Sequence, residues 1–252
     1  MKSILVSVTV FVAVFSGALA GMGLRRILPQ NELGSDAKDV IRLAVGLLVT
    51  MTALVLGMLV SSANASYQDR KNELAEMASD FVVVDRLLAS YGPETKAMRA
   101  DLRGLAQSNL DRVWPSESSQ ESQLRPQDDN GHVFYDHLQL LVPKNDLQAA
   151  AKAGAITAAI GLRHTYWLMF LGSEQSSLSF PLLLVVVTWL TAIFISFGLF
   201  APHNHAVFAT LIVCALSVSA AIFIIMALYS PFSGVMKISP FPIRDALTRM
   251  GG

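Results

Sequence analysis

The chain has 252 residues, 53% of them hydrophobic and only 15% charged, and its mean hydropathy of +0.49 excludes an ordinary soluble domain in favour of a membrane protein. Lysines and arginines number 19 against 19 aspartates and glutamates, a formal charge of +0 that gives no support to a nucleic-acid tether or a polybasic lipid clamp. The single cysteine, Cys214, lies in an apolar run and excludes both an internal disulfide and a cysteine-based zinc site.

Four stretches are apolar enough to cross about 30 Å of hydrocarbon. They run roughly from Ile4 to Leu24, Leu43 to Val60, Phe180 to Phe200 and Ala206 to Leu228. The first contains Ala18-Leu19-Ala20, which also fits a signal-peptide cleavage site. Cleavage would leave three spans, so a retained helix is the reading adopted. Pro29 and Gly34 punctuate the connection to the second span, with Asp36 or Asp39 near the next helix start, where negative charge complements the dipole.

The second span does not stop where its oily part ends. After Val60 the residues SSANAS contain no strong breaker, and Tyr67, Leu74, Met77, Phe81, Val84, Leu88 and Tyr91 keep a helical period up to Gly92-Pro93. This predicts one helix continuing well past the membrane with an apolar stripe. A second amphipathic segment follows, with Met98, Leu102, Leu105 and Val113 on its apolar face, closed by Trp114-Pro115. The polar stretch around 115–131 reads as a flexible loop, and VFYDHLQLLV as a short helical piece before Pro143. From Asn145 to about Gly172 the chain is helical again, and Ala149, Ala150, Ala153, Gly154, Ala158 and Gly161 suggest a narrow packing face.

Phe180-Pro181 opens the third span, since proline is tolerated in a first helical turn. APHNHA makes a tight hairpin to the fourth, which ends at Tyr229-Ser230-Pro231. The tail is too rich in proline for a long helix, with a short one predicted over Ile243 to Met250. The expected organisation is therefore 1–62 with two transmembrane helices, 63–175 as an extramembrane helical region, 176–230 with two more spans, and 231–252 as the tail. Lys2, Arg70, Lys71, Arg163, Lys237, Arg244 and Arg249 near span ends outnumber Arg25, Arg26, Lys38 and Arg42 on the other side, which favours a cytoplasmic helical region.

Catalytic constellations are scarce. None of His132, His137, His164, His203 and His205 belongs to an HExxH pattern, and neither a GxSxG elbow, a Walker loop nor a dinucleotide fingerprint is present. His203 and His205 read as an interfacial loop rather than a metal pair, and Asp128, Asp129 and His132 as a polar loop. No enzyme activity, cofactor or metal is expected. The spans carry almost no charge, which weakens an active pump but not a passive channel, where apolar constrictions gate by dewetting. Thr50, Thr52, Ser61, Ser62 and Asn64 are candidates for wider, polar stretches of a pore, although small polar residues also serve ordinary helix packing. Asp85 and Arg86 interrupt the apolar period and read either as an interhelical ion pair that fixes assembly or as a solvated face.

The segment TALVLGMLVSSANASYQDRKNELAEMASDFVVVDRLLASYGPE, with ALYSPFSGVMKISPFPIRDAL at the far end, resembles the bacterial bestrophin-like membrane proteins grouped as domain of unknown function 4239. Ser61, Ser62, Tyr67, Asp85 to Leu88, Tyr91-Gly92, Pro231 to Gly234, Pro242 and Arg244-Asp245 carry the resemblance, which covers nearly the whole chain. It implies an all-α polytopic fold with four transmembrane helices and a membrane-proximal helical domain, and a place in the bacterial inner membrane. Bestrophins are pentameric anion channels with a helical cytosolic part continuous with the second helix. The resemblance therefore implies a homo-oligomer, with a pentamer as the number to test, embedded in the lipid bilayer and passing small inorganic ions. Fold similarity does not itself transfer conduction. An acidic calcium-clasp run and the repeated phenylalanines of the bestrophin neck have no match here.

The functional expectation is an oligomeric passive channel for small anions. Leu54, Leu59 and Val60 are its constriction candidates and Thr50, Ser61, Ser62 and Asn64 line the wider path. Asp85, Arg86, Pro231, Arg244 and Asp245 are the assembly candidates. The rival is a membrane-anchored structural or interaction protein whose apolar stripe captures a partner.

Overall fold

The computed structural model describes residues 2–27, 35–114, 129–175, 180–202, 204–232 and 234–250. Pro29, Gly34, Pro115, Asp128, His203, Ser233 and the polar stretch 115–128 lie outside them. The described residues are all-α. The helices are α1 (Lys2–Ile27), α2 (Ser35–Tyr91), α3 (Lys96–Val113), α4 (Asp129–Gln139), α5 (Asp146–Gln175), α6 (Phe180–Phe200), α7 (His205–Leu228) and α8 (Phe241–Arg249). Four of them, α1, α2, α6 and α7, are long and apolar enough to cross a membrane. The chain divides into two compact units, 1–66 with 177–230, and 67–176 with 231–252. Helix α2 contributes residues to both.

In the first unit α1 packs against α6 and α7. Glycine sets the α1–α6 crossing: a Cβ on Gly21 would land on the Ile195 carbonyl, and one on Gly198 would land on the Ala18 carbonyl. The two backbones touch because neither glycine carries a side chain, as in membrane helix pairs where van der Waals packing replaces a hydrophobic drive. Val10, Val14 and Ala18 of α1 are buried with Val186, Leu190 and Phe194 of α6 and Ala215, Ile222 and Ile225 of α7. Arg25, in the last turn of α1, donates to the Ala201 carbonyl just beyond α6, where helix carbonyls lack intrahelical partners. Asn204 caps α7 by accepting from the Ala206 amide at 3.2 Å.

The second unit is built on the outer part of α2. Leu74, Met77, Phe81, Val84 and Leu88, the stripe predicted from periodicity, are buried in one cluster with Leu102, Ala106 and Leu110 of α3, Ala155 and Ala159 of α5, and Ile243 and Leu247 of α8. The stripe was expected to meet another chain, either a symmetric neighbour or a captured partner. Its own chain covers it instead, because the turn at Gly92 folds α3 back and the tail returns α8 to the same core. Gly92 has φ 138°, a conformation that strains any residue with a Cβ, and Pro93 cannot continue the α2 hydrogen-bond ladder. Thr95 closes the turn by donating to the Leu88 carbonyl at 2.5 Å.

Two boundaries differ from expectation. Residues 129–131, assigned to the flexible loop, already belong to α4. On α5 the buried alanines are Ala151, Ala155 and Ala159, whereas Ala149, Ala150 and Ala153 are exposed. Alanine or glycine occupies so many positions of this helix that composition does not select a face. Gly154 and Gly161 do meet α2, with Cβ positions 3.3 Å from Leu87 and 3.2 Å from the Asp80 carboxylate.

Candidate functional site

The intramembrane part of α2 has two apolar faces with different fates. Val45, Leu48, Thr52, Val55, Leu59 and Ala63 recur at three and four and are buried or half-buried in the first unit. Half a turn round, Leu43, Leu47, Thr50, Leu54, Gly57, Ser61 and Asn64 keep the same spacing and are all exposed. Leu54 is 69% exposed and Leu59 5%. Within the most apolar stretch of α2 only 11% of residues are buried, against 28% to 33% for the other three spans. This helix therefore presents most of its surface away from the rest of its chain.

The sequence candidates divide between these faces. Thr50, Leu54, Ser61 and Asn64 share the uncovered stripe, with Val60 exposed at its edge. Leu59 is instead a packing residue of the first unit's core. Ser62 is exposed but engaged, its hydroxyl 3.1 Å from that of Tyr229 at the end of α7. The Thr50 hydroxyl donates to the Leu47 carbonyl at 2.7 Å, so its proton serves its own helix. Leu43, Leu47 and Gly57 complete the stripe and were missed, because in a helix apolar all round hydropathy carries no facing signal. A Cβ on Gly46 or Gly57 would meet no atom within 4 Å.

Of the assembly candidates, Asp85, Asp245 and Pro231 make contacts inside the second unit. Asp85 is 2% exposed and receives a bidentate pair of bonds from Arg99 of α3, both 2.8 Å. The Asp85 carboxylate raises the already high pKa of Arg99 through that hydrogen bond. Arg86 is exposed. Asp245 pairs with Arg249 one turn on at 2.8 Å, and Arg244 is exposed. The Pro231 carbonyl accepts from the Ile238 amide at 2.8 Å, closing the loop that leads to α8. Arg99 lay beyond the Gly92-Pro93 turn, and only the hairpin geometry brings it to Asp85.

Two carboxyls on α2 sit above their usual range. Burial is the main cause for both Glu73 and Asp80; Arg70, 2.7 Å from Glu73, opposes the shift there, and Glu76 adds to it at Asp80. Glu94 is held low by its hydrogen bond from Lys144 at 2.9 Å. Among the described residues no group of three or more histidine, cysteine, aspartate or glutamate side chains is placed to hold a metal ion.

Against known families, the model of the Bestrophin-like domain matches residues 10–243. The chain belongs to the bestrophin-like family. Its long α2, shared by both units, and its four apolar helices fit that membership, and make this bestrophin-like chain a multi-pass protein of the bacterial inner membrane. No curated protein and no solved structure matches it.

Proposed function

We propose that this bestrophin-like protein is an oligomeric passive channel for small anions, in which the uncovered face of α2 is turned toward neighbouring copies and a shared pore. The observation that supports this reading is the bare stripe itself. A surface meant for lipid alone has no need of Ser61 and Asn64, whose polar groups want partners in a bilayer, nor of Gly46 and Gly57, which let backbones or ions approach. Several copies of α2 around an axis place Leu54 as a constriction that gates by dewetting, with the Ser61 hydroxyl and the Asn64 amide as donors toward an anion at the exit. Leu59 is not a constriction in this arrangement, because it faces the subunit's own core.

Native mass spectrometry of the detergent-purified protein tests the assembly, and a pentamer is expected. Reconstituted into liposomes, the protein should pass chloride in preference to sodium. Leu54→Ala should raise the flux severalfold and Leu59→Ala should lower stability without widening the path. A stable monomer or dimer across mild detergents overturns the shared pore. It would favour the second reading, a membrane-anchored interaction protein without transport.

A further inference from the structure

The tail that follows the last span has two apolar faces, and only one of them is covered. Phe232, Ile238, Ile243, Leu247 and Met250 are buried in the core of the second unit. The Trp114 ring meets Phe232 edge-on at 5.9 Å, and its indole donates to the Ile238 carbonyl at 3.0 Å, which fixes this inner face. The outer face is apolar as well. Val235 is 70% exposed and Phe241 68%, with Met236 exposed next to Val235. Three large apolar side chains bare within one short segment mark a surface that something covers.

The chain itself says what lies nearest. Pro231 is three residues past Leu228, where α7 ends, at most about 10 Å of chain. The Ile238 amide donates to the Pro231 carbonyl at 2.8 Å, so both ends of the loop carrying Val235 and Met236 are tied to the exit of that span. For a loop tethered there, the nearest apolar medium is the bilayer, behind a headgroup layer about 5–8 Å thick.

Charge points the same way. Acidic and basic residues balance over the whole chain, but residues 231–252 hold Lys237, Arg244 and Arg249 against the single acid Asp245. Asp245 is paired with Arg249 at 2.8 Å. Lys237 and Arg244 are exposed, and among the described residues no carboxylate pairs with either. On α8, Phe241 and Arg244 stand three residues apart on one face, turned away from buried Ile243 and Leu247. Apolar side chains set among long cations suit a membrane surface, where the apolar groups and stems bury and the charged heads reach phosphate.

From this combination we infer that the segment from Gly234 to Arg244 is an interfacial anchor. It lays Val235, Met236 and Phe241 among the headgroups of the adjacent leaflet and brings Lys237 and Arg244 to the phosphates of anionic lipids. The anchor holds whether or not the protein conducts.

The test uses the full chain carrying Cys214→Ser and Met236→Cys, the new thiol labelled with an environment-sensitive nitrobenzoxadiazole dye, since both positions are exposed. The protein is placed in phosphatidylcholine nanodiscs with or without phosphatidylglycerol, each containing lipid spin-labelled near the top of its acyl chain. The dye emission should be blue-shifted and quenched by the spin label. Quenching should be at least about twofold stronger with phosphatidylglycerol, and that difference should vanish at high salt and in a Lys237→Gln, Arg244→Gln variant, two exposed positions whose replacement should leave helix content by circular dichroism intact. Emission typical of water overturns the inference. A blue shift without quenching by lipid overturns it too, because a second copy or another protein then covers the segment. Equal quenching with and without phosphatidylglycerol, or a difference that survives in the double variant, overturns the role of the two cations. Ion flux plays no part in these readouts, so failure here is separate from failure of the channel.

Discussion

Arg99 and Asp85 show how unequal the two halves of an ion pair are. The Asp85 side chain is 3% exposed and that of Arg99 27%, so water can replace the partner of one and not of the other. Removing the arginine strands a buried carboxylate, which costs about 3–5 kcal/mol, whereas neutralising the aspartate leaves a guanidinium that still donates and still reaches solvent, costing about 1 kcal/mol. Arg99→Met should therefore lower the unfolding free energy much more than Asp85→Asn, as followed by circular dichroism in chemical denaturation. Asp80 makes the opposite case. Its carboxyl is raised by burial, so the folded state holds the proton more tightly than the unfolded chain, and stability falls as pH rises from the ordinary value through the raised one. Asp80→Asn should raise the melting temperature at neutral pH, and the gain should shrink as pH is lowered into the carboxylate range. An equal gain at both pH values would mean that charge is not the cause.

Helix crossings and turns carry the next level of specificity. At Gly21 an added methyl meets the Ile195 carbonyl, while at Gly23, half a turn away on the same helix, it meets nothing within 4 Å. Gly21→Ala should separate α1 from α6 and cost about 2 kcal/mol, within the range for overpacking, and Gly23→Ala should be neutral or stabilising through helix propensity alone. Thermal unfolding of the two variants in one detergent separates these outcomes. The same contrast explains what sequence reading reaches. The continuity of α2 and its end at Gly92-Pro93 are legible, because a polar and an apolar face alternate with a helical period and a glycine-proline pair breaks it. The buried faces of α5 and of intramembrane α2 are not legible. In the first nearly every candidate is small, in the second nearly every one is apolar, and only the packing of the other helices decides which residues turn inward.

At the scale of the molecule, the stripe from Leu74 to Leu88 is covered by its own chain, and the uncovered surface of α2 lies in the transmembrane stretch instead. Among the pore candidates, serine and asparagine stand out in an apolar helix, whereas the burial of Leu59 in the first unit is not legible because every leucine there looks alike until the neighbours are placed. This locates a decisive probe. Bestrophin-like chains arranged around a pore bathe the bare stripe in water, whereas a monomer leaves it in lipid, and a charged thiol reagent reacts only where water reaches. Cys214 is exposed, so the background should carry Cys214→Ser. On that background Gly57→Cys and Ser61→Cys should react readily in intact membranes, and Ala63→Cys, at a position with 0% exposure, should not. Reaction at 61 but not at 57 would put water only at the helix exit and confine the pore to less than the membrane's depth. Protection at both positions would place the stripe against lipid or a dry interface and remove α2 as the lining of a conducting path.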